Sequence, residues 1–137
     1  MYQYKCKIIE IIDGDTVKVD VDVGFNIWMN NVVIRLLGID SPESRTSDPL
    51  EKSFGVLSKK RLAELLPISS IQVVQTTIND KYGRILGDFI VNQESVSTCL
   101  IRDGYAVPYN GENKNNIKDL HQANRKKLES AGKIPKN

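Results

Sequence analysis

The chain carries one histidine and two cysteines among its 137 residues. Zinc sites gather several such ligands at short spacing, and Cys6, Cys99 and His121 are far apart, so zinc is not expected. His121 falls in the last helical stretch beside basic residues and reads as a surface residue. The cysteines read as two core thiols in a reduced compartment, not a disulfide. No window approaches the roughly 20 apolar residues of a membrane-spanning helix. The opening Met1-Tyr2-Gln3-Tyr4-Lys5-Cys6 runs straight into a strand pattern and is no secretory signal. The chain is therefore expected to be cytoplasmic, or secreted with its signal already removed. Bulk charge is also small, at +2, but it is unevenly spread. From Lys114 onward seven basic residues face Asp119 and Glu129, which leaves a tail of +5 behind a body of −3. Such a tail either favours nucleic acid or is an ordinary solvated helix face.

A 40% hydrophobic content is enough for a real core, and the length fits one domain over residues 1–137. The first half reads as strands. Cys6 and Ile8 alternate with Lys5 and Lys7, and Asp13-Gly14 is a tight-turn dipeptide. Val17, Val19, Val21 and Val23 then alternate with Lys18, Asp20 and Asp22, the mark of a half-buried strand. Gly24 to Asn31 is a long connection in which Phe25 and Trp28 are expected to cover the barrel, with stacking on a base as the alternative. Val32 to Ile39 forms a third strand. Ser44 to Lys52, with Asp48-Pro49, is expected to be a loop. Phe54, Leu57, Leu62, Leu65 and Leu66 share one helical stripe closed by Pro67. Two more strands, Ile71 to Ile78 and Arg84 to Val91, precede a short helix from Ser97, its N-cap, to Asp103, with Gly104 as the stop. A basic final helix at about 115–132 turns Ile117, Leu120, Leu128 and Ala131 inward. Asn124 shares that stripe and must find buried partners. The order β-β-β-α-β-β-α-α predicts an α+β protein with a mostly β core: a five-stranded Greek-key OB-fold barrel with three helices.

The chemistry concentrates in Val33-Ile34-Arg35-Leu36-Leu37-Gly38-Ile39-Asp40-Ser41-Pro42-Glu43. A mid-strand arginine among branched apolar residues calls for an anion. Asp40 and Glu43, around a Ser-Pro turn, supply oxygens for a hard cation. Asp15 falls on the face of the valines, and a lone buried carboxylate needs a cation, a proton or backbone donors. It either ties its own turn or shares a metal with Asp40; the second reading is preferred. Two carboxylates, a carbonyl and waters suit Ca²⁺ or Mg²⁺. Arg84, just after the Asp80-Lys81-Tyr82-Gly83 turn, pairs with Arg35 as a clamp for a phosphoryl group.

Ile12-Asp13-Gly14-Asp15-Thr16-Val17, then Arg35 to Glu43, then Asp80-Lys81-Tyr82-Gly83-Arg84 resemble the thermonuclease (staphylococcal nuclease-like) family. The resemblance runs from about Lys5 to Ala131. It implies a Ca²⁺-dependent nuclease that hydrolyses DNA and RNA, preferably single-stranded, to 3′-phosphates, working as a monomer away from membranes. It also implies roles: Asp15, Asp40 and the Ser41 carbonyl as Ca²⁺ ligands, Glu43 as general base, and Arg35 and Arg84 on the phosphate. Lys81 and Tyr82 would touch a second phosphate, and Tyr109 would seat a base. Serine at position 41 replaces the family's usual threonine, which a carbonyl ligand tolerates. Asn124 stands where relatives often carry glutamate. The alternative is a non-catalytic module of the same fold that binds nucleic acid or a protein. Such modules typically lose some of these acids and arginines, and here all are present.

Overall fold

A computed structural model describes residues 2–79, 84–111 and 114–133. Its core is a closed barrel of five long strands: β1 (Tyr2–Asp13), β2 (Thr16–Asp22), β3 (Trp28–Leu36), β5 (Ile71–Asn79) and β6 (Ile85–Val91). The meander β1-β2-β3 is antiparallel, β1 also pairs antiparallel with β5, and β5 with β6. A parallel pairing of β3 with β6, Arg35 opposite Leu86, closes the barrel. Two-residue strands β4 (Ile39–Asp40) and β8 (Val107–Pro108) pair beside it, and β7 (Glu94–Ser95) extends β6. The expected OB-type barrel with helices α1 (Pro49–Leu65), α2 (Val96–Arg102) and α3 (Lys118–Ser130) is the observed fold. Among the described residues no helix is long and apolar enough to cross a membrane.

The alternation that predicted the strands also fills the barrel. Cys6, Ile8, Val17, Val19, Ile34, Leu36, Val74 and Phe89 are fully buried or nearly so. Register shifts in β1 around Ile9 and Ile12 reset the alternation, so that Ile11 turns inward and Glu10 outward. Leu62 of α1, Leu66 just past its end and Leu100 of α2 close the core. Both cysteines are free and buried, and burial pushes the Cys6 thiol up to about 11.

Several boundaries differ from expectation. β2 ends at Asp22, and Val23 lies past it, exposed. β3 begins at Trp28, so the β2–β3 connection is a tight turn, with the Ile27 amide bonded to the Gly24 carbonyl. Phe25 is 97% exposed at its tip and covers nothing; Trp28 is 44% exposed. The third strand breaks at Leu37-Gly38, where Gly38 takes φ +79°, before β4. α1 starts at Pro49, inside the expected loop: the Asp48 carboxylate accepts the Leu50 amide at 3.0 Å, and Pro49 occupies the first turn. α2 is capped by Ser95, and Ser97 lies buried within it. On and beside α3, Leu128 and the preceding Ile117 are buried as expected, but Leu120 and the following Ala131 are exposed. Asn124 finds its partner, donating to the Ala106 carbonyl at 3.1 Å.

Candidate functional site

The end of the barrel where β1 turns into β2 opens into a cleft of about 630 Å³. Its walls include Asp13, Asp15, Arg35, Asp40, Ser41, Glu43, Arg84, Tyr109 and Lys114. The fold thus brings together all the described residues expected to bind metal or phosphate, to seat a base or to act on water. Lys81 and Tyr82 lie outside the described residues.

Arg35 is the centre of this arrangement. Ile34 and Leu36 point into the core, so strand alternation turns Arg35 to the opposite face. The strand's exit then curls round its guanidinium. Nη1 donates to the Leu36 carbonyl at 2.8 Å and Nη2 to the Ile39 carbonyl at 2.9 Å. The turn at Gly38 makes that return possible. Nη2 also lies 3.4 Å from Asp15 Oδ2 and 3.6 Å from Asp40 Oδ1. The arginine therefore meets its anions, and they are the two carboxylates expected to share a cation.

Asp15 sits in the β1–β2 turn, 8% exposed. Its Oδ1 accepts the Thr16 hydroxyl at 2.9 Å, and Oδ2 accepts the Ser41 amide at 3.1 Å. This joins the first hairpin to the segment after β4. The adjacent Asp13 does the same: its Oδ1 takes the Gly14 amide at 3.1 Å and the Ser44 amide at 3.2 Å. Burial, together with the charge of Asp15, holds the Asp13 carboxyl above its ordinary value despite the Ser44 bonds. Glu43 lies exposed on the segment these two aspartates pin. Gly55 of α1 packs so close beneath it that a Cβ there would stand 2.2 Å from the Glu43 carbonyl oxygen.

Asp40 is 6% exposed and has partners on both oxygens. Lys114 Nζ lies 3.3 Å from Oδ1, and His121 Nε2 lies 3.0 Å from Oδ2. Burial alone would raise the Asp40 carboxyl, but the His121 bond and the Lys114 charge outweigh it and hold it below the usual range. Burial likewise opposes the Lys114 charge, and Asp40, Glu43 and Asp15 overcome it, raising the ammonium above its ordinary value. His121 is thus no surface residue: its side chain is 14% exposed and reaches into the site from α3. A signal was present in the sequence, since His121, Asn124 and Leu128 stand at helical spacing on one stripe. Lys114, which also lies over the Tyr109 ring at 5.9 Å, had no comparable signal.

Acidic side chains outnumber cationic ones along the described part of the cleft. Asp15 and Asp40 together exceed the single charge of Arg35 between them, the exposed Lys114 offsetting the rest, and the Ser41 hydroxyl is buried there with no hydrogen-bond partner among the described residues. These oxygen donors fit a hard divalent cation. Among the described residues no group of three or more His, Cys, Asp or Glu is disposed to hold a metal by itself. The remaining oxygens would come from the Ser41 carbonyl, water and substrate.

A family model described as "Staphylococcal nuclease homologue" matches residues 33–133. The SPbeta prophage-derived endonuclease YokF of Bacillus subtilis (strain 168) is 33% identical over 98 residues, 69% of this chain and 31% of that protein. Endonuclease YncB of the same organism is 33% identical over 97 residues, 69% of this chain and 43% of its own length. Protein ParB of Escherichia coli is 31% identical over 112 residues, 75% of this chain and 56% of ParB. The chain thus spans between just under a third and just over half of these relatives' lengths.

Proposed function

The chain belongs to the family of staphylococcal nuclease homologues, and from that premise we propose that it is a Ca²⁺-dependent nuclease. Its substrates are DNA and RNA, single strands preferred, and its products carry 3′-phosphates. The observation that carries this reading is Arg35 held between two buried carboxylates, in one cleft with Arg84 and Glu43. The endonuclease names of two relatives support it.

Asp15, Asp40 and the Ser41 carbonyl would hold the cation. When bound, Ca²⁺ polarises a phosphoryl oxygen and neutralises developing charge. Arg35 and Arg84 donate to the phosphoryl oxygens, whose charge grows as water adds to phosphorus. Arg35 is fixed beforehand by two carbonyls and two carboxylates, so little reorganisation accompanies the reaction. Glu43, exposed at the cleft, takes a proton from the attacking water. The bond from phosphorus to the 5′ oxygen breaks, that oxygen takes up a proton, and the phosphate stays on the 3′ side. Lys81 and Tyr82 contact a neighbouring phosphate, and Tyr109 seats a base.

The test is degradation of denatured DNA and of RNA by purified protein, with Ca²⁺ or with chelator. Wild type degrades both only with Ca²⁺, and end-labelling finds 3′-phosphates. Arg84→Ala lowers kcat by about 10²–10³, the scale of one lost electrostatic donor, and Glu43→Ser by about 10²–10⁴, the scale of a lost general base. No Ca²⁺-dependent cleavage by wild type overturns the proposal.

A further inference from the structure

His121 lies outside every motif that singled out the cleft, yet it is a partner of Asp40 nearly as well shielded from solvent as Arg35. The Nε2 to Oδ2 distance is 3.0 Å across 81 residues of sequence. Lys114, on the other oxygen, has a side chain 59% exposed on a flexible stem, so it can leave when another cation arrives. His121, 14% exposed on a helix anchored by Leu128 and Asn124, cannot. An aspartate's terminal torsion is broad, and a carboxylate bonded on one side only is free to turn. With Oδ2 held by His121, Oδ1 is committed to the cleft beside Arg35. The ring's other nitrogen, Nδ1, is buried with no partner among the described residues. A hydrogen there would be left unsatisfied, so the tautomer carrying its hydrogen on Nε2 is the one this pocket accommodates.

We propose that His121 is a positioning residue of the active site, which fixes the Asp40 carboxylate by donating from Nε2 to Oδ2 so that Oδ1 faces the bound cation. This rests on the proposal that Asp15 and Asp40 hold Ca²⁺. It makes α3, the part of the fold farthest in sequence from the ligands, a component of the cation site. Partners that orient a ligand in this way typically affect metal affinity by about 10–100-fold.

The experiment measures Ca²⁺ affinity directly, by calorimetry on the full chain and by competition with Tb³⁺ luminescence. The proteins are wild type, His121→Leu, His121→Asn and His121→Gln, with melting temperatures recorded alongside. The expected result is Ca²⁺ binding weakened by about 10–100-fold in His121→Leu. His121→Asn, polar but too short to reach, loses as much. His121→Gln, whose amide presents a donor near the Nε2 position, recovers most of the affinity. Raising Ca²⁺ then restores the kcat of His121→Leu and His121→Asn, which a damaged fold would not allow. Unchanged affinity in His121→Leu and His121→Asn overturns the inference. So does a loss in His121→Gln equal to theirs. If wild type itself binds no Ca²⁺, the reading of the cation site fails, and this inference with it. Should His121→Leu not fold, the His121→Asn and His121→Gln pair decides the matter.

Discussion

Two side chains do opposite things to Asp40. On the proposal above His121 orients it, whereas Lys114 places on Oδ1 a positive charge that the proposed Ca²⁺ would have to displace. Lys114→Met is therefore expected to tighten Ca²⁺ binding, the reverse of the effect at His121, and calorimetry on the free protein measures both signs. Arg35 is harder to remove. Arg35→Met strips a guanidinium from two carboxylates whose side chains are 12% and 9% exposed, and it leaves the Leu36 and Ile39 carbonyls without their donor. Breaking a buried pair in this way costs about 3–5 kcal/mol. Urea denaturation without Ca²⁺ should show that loss, and added Ca²⁺ should return part of it. At this scale the sequence was legible where several charged residues fell close together, as in Arg35 to Glu43. It carried no signal for Lys114 and masked that of His121, because a lone residue in a basic stretch looks solvated until something packs over it.

The element that matters most for Glu43 is α1. Glycine within a helix is normally worse than alanine by about 1 kcal/mol, so replacing it usually stabilises. Gly55 should do the reverse. An added methyl would meet the Glu43 carbonyl carbon at 2.3 Å and the Ser44 amide at 2.5 Å, both backbone atoms. Gly55→Ala is expected to lower the melting temperature and to push Glu43 out of place, lowering kcat as well. Val56→Ala, at an exposed position one residue on, should change neither. Thermal melts and steady-state kinetics on the two variants make the comparison. The start of α1 was readable in principle, since aspartate before proline is a helix N-cap as well as a loop signal. The polar run Ser44 to Lys52 reads as a loop, and the carboxylate that caps Leu50 decides otherwise. The Ser95 cap was displaced to Ser97 for a similar reason: several hydroxyls compete, and only the bond from the Thr98 amide to Ser95 Oγ, together with Asp88 holding both Ser95 Oγ and the Ser97 amide, selects one.

Over the whole molecule the barrel couples stability to pH through Cys6. The thiol's ordinary value is 9.0, and burial pushes it to about 11. Between these values the unfolded chain has lost a proton that the folded chain retains, so stability falls as pH rises from about 9 to about 11. The slope is at most about 1.4 kcal/mol per pH unit, and below pH 9 it vanishes. Cys6→Val should flatten that alkaline decline in a series of denaturation curves. The charge pattern has its own consequence. Lys118 and Lys126 are exposed on α3, whereas Lys127 is engaged with the Arg102 carbonyl at 3.0 Å. If the helix meets nucleic acid, Lys118→Glu with Lys126→Glu should flatten the salt dependence of KM by about 0.7–0.9 in log–log slope per lost phosphate contact. An unchanged slope identifies a solvated face. By itself the sequence determined the barrel and most of the charged residues that line its cleft. Strand alternation is a local property, and the acids and arginines lie in short motifs whose charges make little sense in a core. Only the tertiary structure decided what supports them, because those contacts join segments far apart in the chain. The hairpin reaches Ser41 and Ser44 through Asp15 and Asp13, α1 reaches Glu43 through the missing side chain of Gly55, and α3 reaches Asp40 through His121.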